Sequence, residues 1–174
     1  MIVRLLPAAA RVAVPWRNGG GVTREVAADC TCMFGWRVSI ADLEGHACFS
    51  AFPGIERSFV LAHGGPVQLT IDGALRVLAA GDIARFPGEA EVLQHAPATA
   101  SAINVMTRRG VYTHRTTVRD APFSAAADLL MPLGNDVGYA GSVLTAGDAL
   151  LGGRDPILLT GTGAVLLVHF QAMA

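Results

Sequence analysis

The sequence predicts an all-β protein, and three observations carry that reading. Glycine (20) and proline (9) recur through the 174 residues and keep the apolar runs between them short, the rhythm of strands and turns. Trp36-Arg37-Val38-Ser39-Ile40 alternates strictly, with Trp36, Val38 and Ile40 on one face and Arg37 and Ser39 on the other. Asp72-Gly73 separates the apolar runs 67–71 and 74–78, and Asp-Gly between such runs is a two-residue hairpin signal.

Further short strands are expected at 58–61, 83–86, 103–106, 112–118, 143–144, 157–159 and 165–170. Residues 122–130 (PFSAAADLL) alone read as a short helix, with Asp120 as its cap and Pro122 in its first turn. Val77-Leu78-Ala79-Ala80-Gly81-Asp82 returns as Val143-Leu144-Thr145-Ala146-Gly147-Asp148, 66 residues on. Each copy is a strand, a tight Gly-Asp turn and a second apolar strand. A β unit duplicated at this spacing predicts two fused half-barrels.

Composition excludes several classes of function. All 13 basic residues are arginine, so lysine-dependent Schiff-base, pyridoxal and P-loop chemistries have no conventional anchor. Arginine instead suits planar, bidentate capture of a carboxylate. A net charge of −1 gives no electrostatic footprint for nucleic acid. No apolar run approaches the ~18 residues a membrane helix needs, and the start, Met-Ile-Val-Arg, lacks the plan of a signal peptide. The three cysteines, Cys30, Cys32 and Cys48, are an odd number in such a chain and read as free thiols. These features predict a cytoplasmic protein with no membrane and no nucleic-acid partner.

Gly81-Asp82 entering a strand, followed by Phe86-Pro87-Gly88, resembles the second sequence element of cupins, in which a turn feeds the strand that closes a small barrel. The cupin metal element, two histidines one residue apart and then a glutamate, is missing. His46, His63, His95, His114 and His169 never show that spacing. Cys30, Cys32, His46 and Cys48 are spaced i, i+2, tighter than the two-to-four-residue spacing of structural zinc pairs. No metal and no cofactor is therefore expected.

Five stretches carry chemistry: Pro15-Trp16-Arg17-Asn18-Gly19-Gly20-Gly21-Val22-Thr23-Arg24-Glu25, Trp36-Arg37-Val38-Ser39-Ile40-Ala41, Phe49-Ser50-Ala51-Phe52-Pro53-Gly54-Ile55-Glu56-Arg57, Phe86-Pro87-Gly88-Glu89 and Asn104-Val105-Met106-Thr107-Arg108-Arg109-Gly110. Three successive glycines are either a flexible loop or a backbone that passes close to a ligand. A buried Asn104 would have to be hydrogen-bonded, marking a polar spot or a structural tie. Glu89 is either an arginine's partner or a solvated turn carboxylate.

Taken in order, these stretches resemble the HutD/Ves family of bicupin-like proteins, linked to histidine utilisation. The likeness is good over residues 1–110 and looser around Gly147-Asp148. It implies an all-β bicupin of jelly-roll (RmlC-like) barrels, with a first cupin half at about 1–110 and a second at 111–174. It also implies a metal-free pocket for a small carboxylate metabolite such as urocanate or formylglutamate, in an accessory or regulatory role, with no catalytic activity attached. One departure stands out: the family often has Asp two residues before the Asn, where this chain has Ala102.

The pocket expected on these grounds contains Asn18, Thr23, Arg24, Arg37, Ser39, Arg57, Glu89 and Asn104, with Trp16 and Phe52 as apolar wall. One or two arginines clamp the carboxylate, and Glu89 orients an arginine or accepts a ligand N–H. A homodimer is the candidate assembly. Two rival readings are a metal-free cupin isomerase or hydrolase with Glu89 or His63 as general base, and an interaction module that binds no ligand.

Overall fold

Strand-length apolar runs closed by turn residues pair as antiparallel neighbours along the chain. The computed structural model describes residues 3–16, 21–30 and 33–174. Among them no helix is long and apolar enough to cross a membrane. The chain divides into two units: Val12–Thr113 with Ala172–Ala174, and the residues up to Arg11 with His114–Gln171. The first eleven residues thus go with the later unit rather than with the first half, because β1 (Arg4–Leu6) pairs with a strand of that unit.

The unit around Val12–Thr113 holds β2 (Ala13–Pro15), β3 (Gly21–Ala28), β4 (Trp36–Cys48), β5 (Ile55–Gly64), β6 (Val67–Ile71), β7 (Ala74–Leu78), β8 (Ile83–Pro87) and β9 (Val92–Arg108). Their order is β2-β3-β4-β9-β5-β8, with β6 also on β9 and β7 on β6. Every strand expected here from the sequence lies within one of these. The register of β4 on β9 shifts between Leu43 and Gly45, and a bulge of this kind bends a strand. Beyond it β9 takes β6 as its other neighbour, where it had β5 before. Inward side chains of both stretches meet in one apolar core: Ala41, Leu43, Phe59, Leu61, Leu69, Phe86, Val92, Ala96 and Ala102 are all buried there. Burial of each such leucine or phenylalanine contributes about 1.5–3 kcal/mol.

The other unit holds β10 (Tyr112–Asp120), β11 (Phe123–Pro132), β12 (Val137–Tyr139), β13 (Ser142–Leu144), β14 (Ala149–Gly161) and β15 (Ala164–Ala172), in the order β10-β15-β11-β14-β12-β13 with β1 on β14. Phe123, Leu130, Val137, Leu150, Leu159, Val165 and Leu167 form its core. The helix expected at 122–130 is a correction: these residues are in β11. The alanine and leucine content favours a helix only weakly, whereas β14 and β15 supply ladders on both edges of this strand. Asp128, which a helix would expose, accepts the Phe170 N–H at 2.7 Å.

The sequence repeat is a repeat of geometry. In the first copy the Ala79 N–H donates to Asp82 Oδ2 at 2.8 Å, the Asp82 N–H donates to the Ala79 carbonyl at 3.0 Å, and Gly81 has φ +91°. In the second the Thr145 N–H donates to Asp148 Oδ2 at 2.8 Å, the Asp148 N–H donates to the Thr145 carbonyl at 3.0 Å, and Gly147 has φ +87°. Each turn follows a tight hairpin, Asp72-Gly73 in one unit and Ala140-Gly141 in the other, with positive φ at all four residues. The second copy adds a strap for the chain's start: Asp148 Oδ1 accepts the Ala8 N–H at 2.7 Å, and Arg11 donates to the carbonyls of Gly147 and Leu6.

Burial pushes the Asp148 carboxyl up. The donors Ala8 and Thr145 and the charge of Arg11 outweigh this and hold it below the ordinary aspartate value. A carboxylate with a depressed folded pKa stabilises above its unfolded pKa and loses that contribution as pH falls through the folded one. Asp148→Asn turns an amide N–H toward a backbone donor and is expected to destabilise by about 1–3 kcal/mol at neutral pH. Asp82→Asn, which disturbs a single acceptor contact, should cost about 1 kcal/mol or less. Urea melts at pH 7 compare the two, and the Asp148→Asn deficit should shrink in melts taken below pH 4.

Candidate functional site

Alternation along β4 leaves open which face lines a pocket, and the ladder decides it. Val38 is fully buried on one face, while Arg37 and Ser39 look into a cavity of about 650 Å³ in the first unit. Arg37 and Arg57 both pair with Met106, and Arg57 also with Phe86. The next row runs Glu25–Ser39–Asn104–Phe59 across β3, β4, β9 and β5. Because strand side chains alternate, these two rows share one face. Val12, Val14, Pro15 and Trp16 add a wall from β2, and Phe49, Ser50 and Phe52 add another from the segment leaving β4.

Arg57 is the centre of this arrangement. It is 6% exposed. One Nη donates to Asn104 Oδ1 at 3.0 Å, the other to the Ser50 carbonyl at 3.4 Å, and Nε has no acceptor among the described residues. The guanidinium lies 5.1 Å, 5.5 Å and 5.2 Å from the ring centroids of Phe49, Phe52 and Phe86, a cation–π cage. No carboxylate among the described residues forms an ion pair with it. Burial lowers its pKa to about 10, so it stays charged at neutral pH. A buried, charged guanidinium with unused donor capacity can take up an anion, and its planar fork has the geometry to match a carboxylate.

Three neighbours hold the cage. Trp16 Nε1 donates to Thr23 Oγ1 at 2.6 Å, and the Trp16 ring stands edge-on to Phe49 with centroids 6.2 Å apart. Gly21 lets that happen, since a Cβ there would come within 2.5 Å of the Asp42 carbonyl and 3.2 Å of the Trp16 ring. Gly88 does the same for Phe52: the Phe52 N–H donates to the Gly88 carbonyl at 2.8 Å, and a Cβ on Gly88 would meet the Phe52 carbonyl at 2.2 Å.

Of the residues expected at the site, Trp16, Thr23, Arg37, Ser39, Phe52, Arg57 and Asn104 line this cavity. Asn18 lies outside the described residues. Arg24 and Glu89 are not among the residues that line the cavity. Arg24 sits next to Thr23 on a strand and so faces the other way, where it pairs with Asp42. Glu89 stands at the turn after β8, accepts the Gly54 N–H at 2.6 Å and pairs with Arg109, which also holds Glu56. The Gly54 N–H, the Glu89 backbone N–H and Arg109 hold its carboxyl below the usual glutamate range, the wrong direction for a general base. His63 is exposed on β5, and among the described residues no histidine lines the cavity. Glu25, Cys48, Phe49, Ser50 and Met106 also line it, though none of them was expected in the pocket. Period-2 alternation from Thr23 to Glu25 and from Asn104 to Met106 is the signal that finds two of them.

Of the residues weighed for zinc, Cys30, His46 and Cys48 do not gather into a metal-ligating group. Cys32 is outside the described residues, Cys30 Sγ contacts the Met33 carbonyl, and His46 stacks on His95 across β4 and β9 with centroids 4.0 Å apart. Among the described residues no group of three or more metal-ligating side chains assembles.

A family model described as HutD matches residues 8–171. A 21.2 kDa protein of the hutC 3′ region of Pseudomonas putida is 41% identical over 83 residues, covering 45% of this chain and 44% of that protein. Protein Ves of Citrobacter koseri is 36% identical over 118 residues, covering 63% and 60%. The chain thus spans about half the length of the curated relatives it matches. The structure of the conserved protein PA5104 from Pseudomonas aeruginosa PAO1 is similar with a TM-score of 0.85 at 28% identity, covering 99% of this chain and 100% of that one. HutD from Pseudomonas fluorescens SBW25, in a formate condition, gives 0.82 at 28% identity with 98% and 100% coverage. A cupin 2 conserved barrel protein from Leptotrichia buccalis, at 12% identity and a TM-score of 0.59 over 87% and 89%, shares the fold alone. With the family match running through both β units, the chain belongs to the HutD family and has its cupin-like, two-sheet fold.

Proposed function

We propose that this protein is a cytoplasmic, non-catalytic binder of a small carboxylate metabolite, with an accessory or regulatory role in histidine utilisation. The observation that carries the reading is Arg57: a buried cation, caged by three phenylalanines, hydrogen-bonded only to neutral oxygens among the described residues and opening on a cavity. The names of relatives, HutD and the hutC 3′ region, support the metabolic setting. Ser39, Thr23 and Asn104 supply neutral hydrogen-bonding groups, and Trp16, Phe52 and Met106 supply apolar wall for a flat ligand body. Among the described residues the cavity's one carboxylate, Glu25, is paired with Arg37 at 2.8 Å, and neither an imidazole nor a free carboxylate lines the cavity to move protons.

A thermal-shift screen against urocanate, formylglutamate, formate, glutamate and histidine tests the reading. A bound ligand at 100 times its dissociation constant should add about 2.7 kcal/mol of stability, and the rise should vanish in Arg57→Met. No rise with any of these compounds would remove the histidine-metabolite assignment.

The same variant tests the burial of charge. The lowering of the Arg57 pKa to about 10 corresponds to a penalty of about 3 kcal/mol on the charged form. The folded pKa of this base lies below its unfolded value, so the penalty is fully present at neutral pH and fades only above pH 10. Met fills similar volume and forfeits two hydrogen bonds, which leaves a net gain of about 1–2 kcal/mol. Ligand-free Arg57→Met should therefore unfold at higher urea than the parent chain, and a lower midpoint would show that the cage already compensates the charge.

A further inference from the structure

We infer that the cavity selects for a hydrogen-bond acceptor near the ligand's carboxylate, and that Asn104 is the residue that reads it. Carboxylates bearing an acyl or keto oxygen there are taken, and free α-amino acids, which carry an ammonium there, are turned away. The inference rests on the proposed anchoring of a carboxylate at Arg57.

A guanidinium only donates, whereas an asparagine side chain donates from one end and accepts at the other. Arg57 Nη donates to Asn104 Oδ1 at 3.0 Å, and that bond fixes which way the amide is turned. The carbonyl end is held by Arg57, and Nδ2 is the end left to donate. Asn104 is 6% exposed and lines the cavity, and its side chain makes no other hydrogen bond among the described residues. Arg57 Nε is likewise without an acceptor among them. Register brings the two side chains together: Arg57 stands opposite Met106 on β9, and Asn104 is the next residue of β9 on that face. Two buried residues, tied to each other, thus hold two unused N–H donors at one cavity. A buried donor left unpaired costs about 1–3 kcal/mol, and a single ligand acceptor relieves only one of the two.

A carboxylate bound at Arg57 brings the adjoining carbon close to the Arg57–Asn104 hydrogen bond. An oxygen carried there accepts from Nδ2. An ammonium in the same place sets N–H against N–H and adds a positive charge beside a buried guanidinium, where like charges repel most strongly. The Asn104 carbonyl, which could otherwise accept from the ammonium, is already held by Arg57. A site built around a buried donor discriminates sharply against an analogue with no matching acceptor, because the donor is then stranded. Formylglutamate and urocanate both carry an acceptor and no ammonium, whereas glutamate and histidine carry the ammonium. The same pair of donors therefore sorts the proposed ligands from the amino acids they resemble.

Four probes share a carboxylate and a phenyl ring and differ at the carbon next to the carboxylate. It carries only hydrogen in 3-phenylpropionate, a keto oxygen in phenylpyruvate, a formylamino group in N-formylphenylalanine and an ammonium in phenylalanine. Calorimetric titration of the full chain, of Asn104→Ala and of Arg57→Met at pH 7.5 is the experiment. The parent chain should bind phenylpyruvate and N-formylphenylalanine about tenfold more tightly than 3-phenylpropionate, and phenylalanine about tenfold more weakly. Asn104→Ala should keep nearly the parent's affinity for 3-phenylpropionate and lose the preference for the two acceptor-bearing acids. Arg57→Met should bind none of the four. If 3-phenylpropionate binds the parent but the acceptor-bearing acids bind no better, or if phenylalanine binds as well, the selectivity is overturned while the anchor stands. A preference that survives in Asn104→Ala overturns the role of Asn104. If the parent binds 3-phenylpropionate no better than Arg57→Met does, the anchor falls and the selectivity with it. The ranking in the parent chain decides the matter even if Asn104→Ala fails to fold.

Discussion

The antiparallel ladder between β4 and β9 is the constraint on which the first unit depends. It runs from Trp36 opposite Thr107 to Cys48 opposite Leu93, interrupted by the shift between Leu43 and Gly45. A slip of one residue would exchange the faces of every side chain on a strand. Val38 and Val105, both fully buried on one face, would then look into the cavity in place of Ser39 and Asn104. Register also sets a gradient along each strand. On β4 the inward series is Arg37, Ser39, Ala41, Leu43; on β9 it is Met106, Asn104, Ala102, Ala100; on β5 it is Arg57, Phe59, Leu61. Site and core are thus one surface, apolar and filled at one end, polar and open at the other. Ala102 stands in that series between Asn104 and Ala100, and its methyl is fully buried in the apolar core.

Polar bookkeeping elsewhere in the molecule sharpens the contrast with Arg57. Arg24 has Asp42, Arg109 has Glu56 and Glu89, and Arg11 has two backbone carbonyls. Those side chains sit at or near the surface, where an ion pair contributes little and its loss is tolerated. Arg57 is buried, and burial of an uncompensated charge is among the more expensive features a fold can carry. The surrounding phenylalanines and the Asn104 carbonyl offset part of that expense, and a ligand carboxylate would offset the rest. Gln94 is the other buried side chain whose polar atoms lack a partner among the described residues. It lies inward on β9 between Val92 and Ala96, off the cavity lining.

The fold was legible because its signals are local. Strict alternation, Asp-Gly and the Gly-Asp repeat each follow from the conformations of a few adjacent residues. Residues 122–130 misled because Ala-Ala-Ala-Asp-Leu-Leu has a mild helical preference, while its strand state comes from β14 and β15, whose paired residues are 20 to 39 residues away in sequence. Within the site, alternation was underused: Thr23 and Arg24 are neighbours on β3 and cannot both face the cavity, whereas Thr23 and Glu25 can. Glu89 was illegible for a different reason. Its motif is part of the site's support, and a motif does not distinguish residues that touch a ligand from residues that hold those that do. Gly88 and Glu89 grip the turn carrying Phe52 and Gly54, and through Phe52 they shape the cage over Arg57.

The duplicated turn separates what the fold requires from what the site requires. Asp82 and Asp148 close the same hydrogen bonds at the same backbone geometry, and each launches a strand into its own unit's core. In the later unit that core is filled by Phe123, Leu130, Leu150, Ile157 and Leu167. The groove there, beside Tyr139 and Pro156, presents no charged side chain among the described residues. The earlier unit keeps the turn and the core but opens the far end of its strands, and there it places Arg57, Arg37 and Glu25. The Gly-Asp turn is therefore a property of the barrel, and the three charges are a property of one barrel's mouth. A sequence that kept the turns and lost the charges would keep this fold and lose this chemistry.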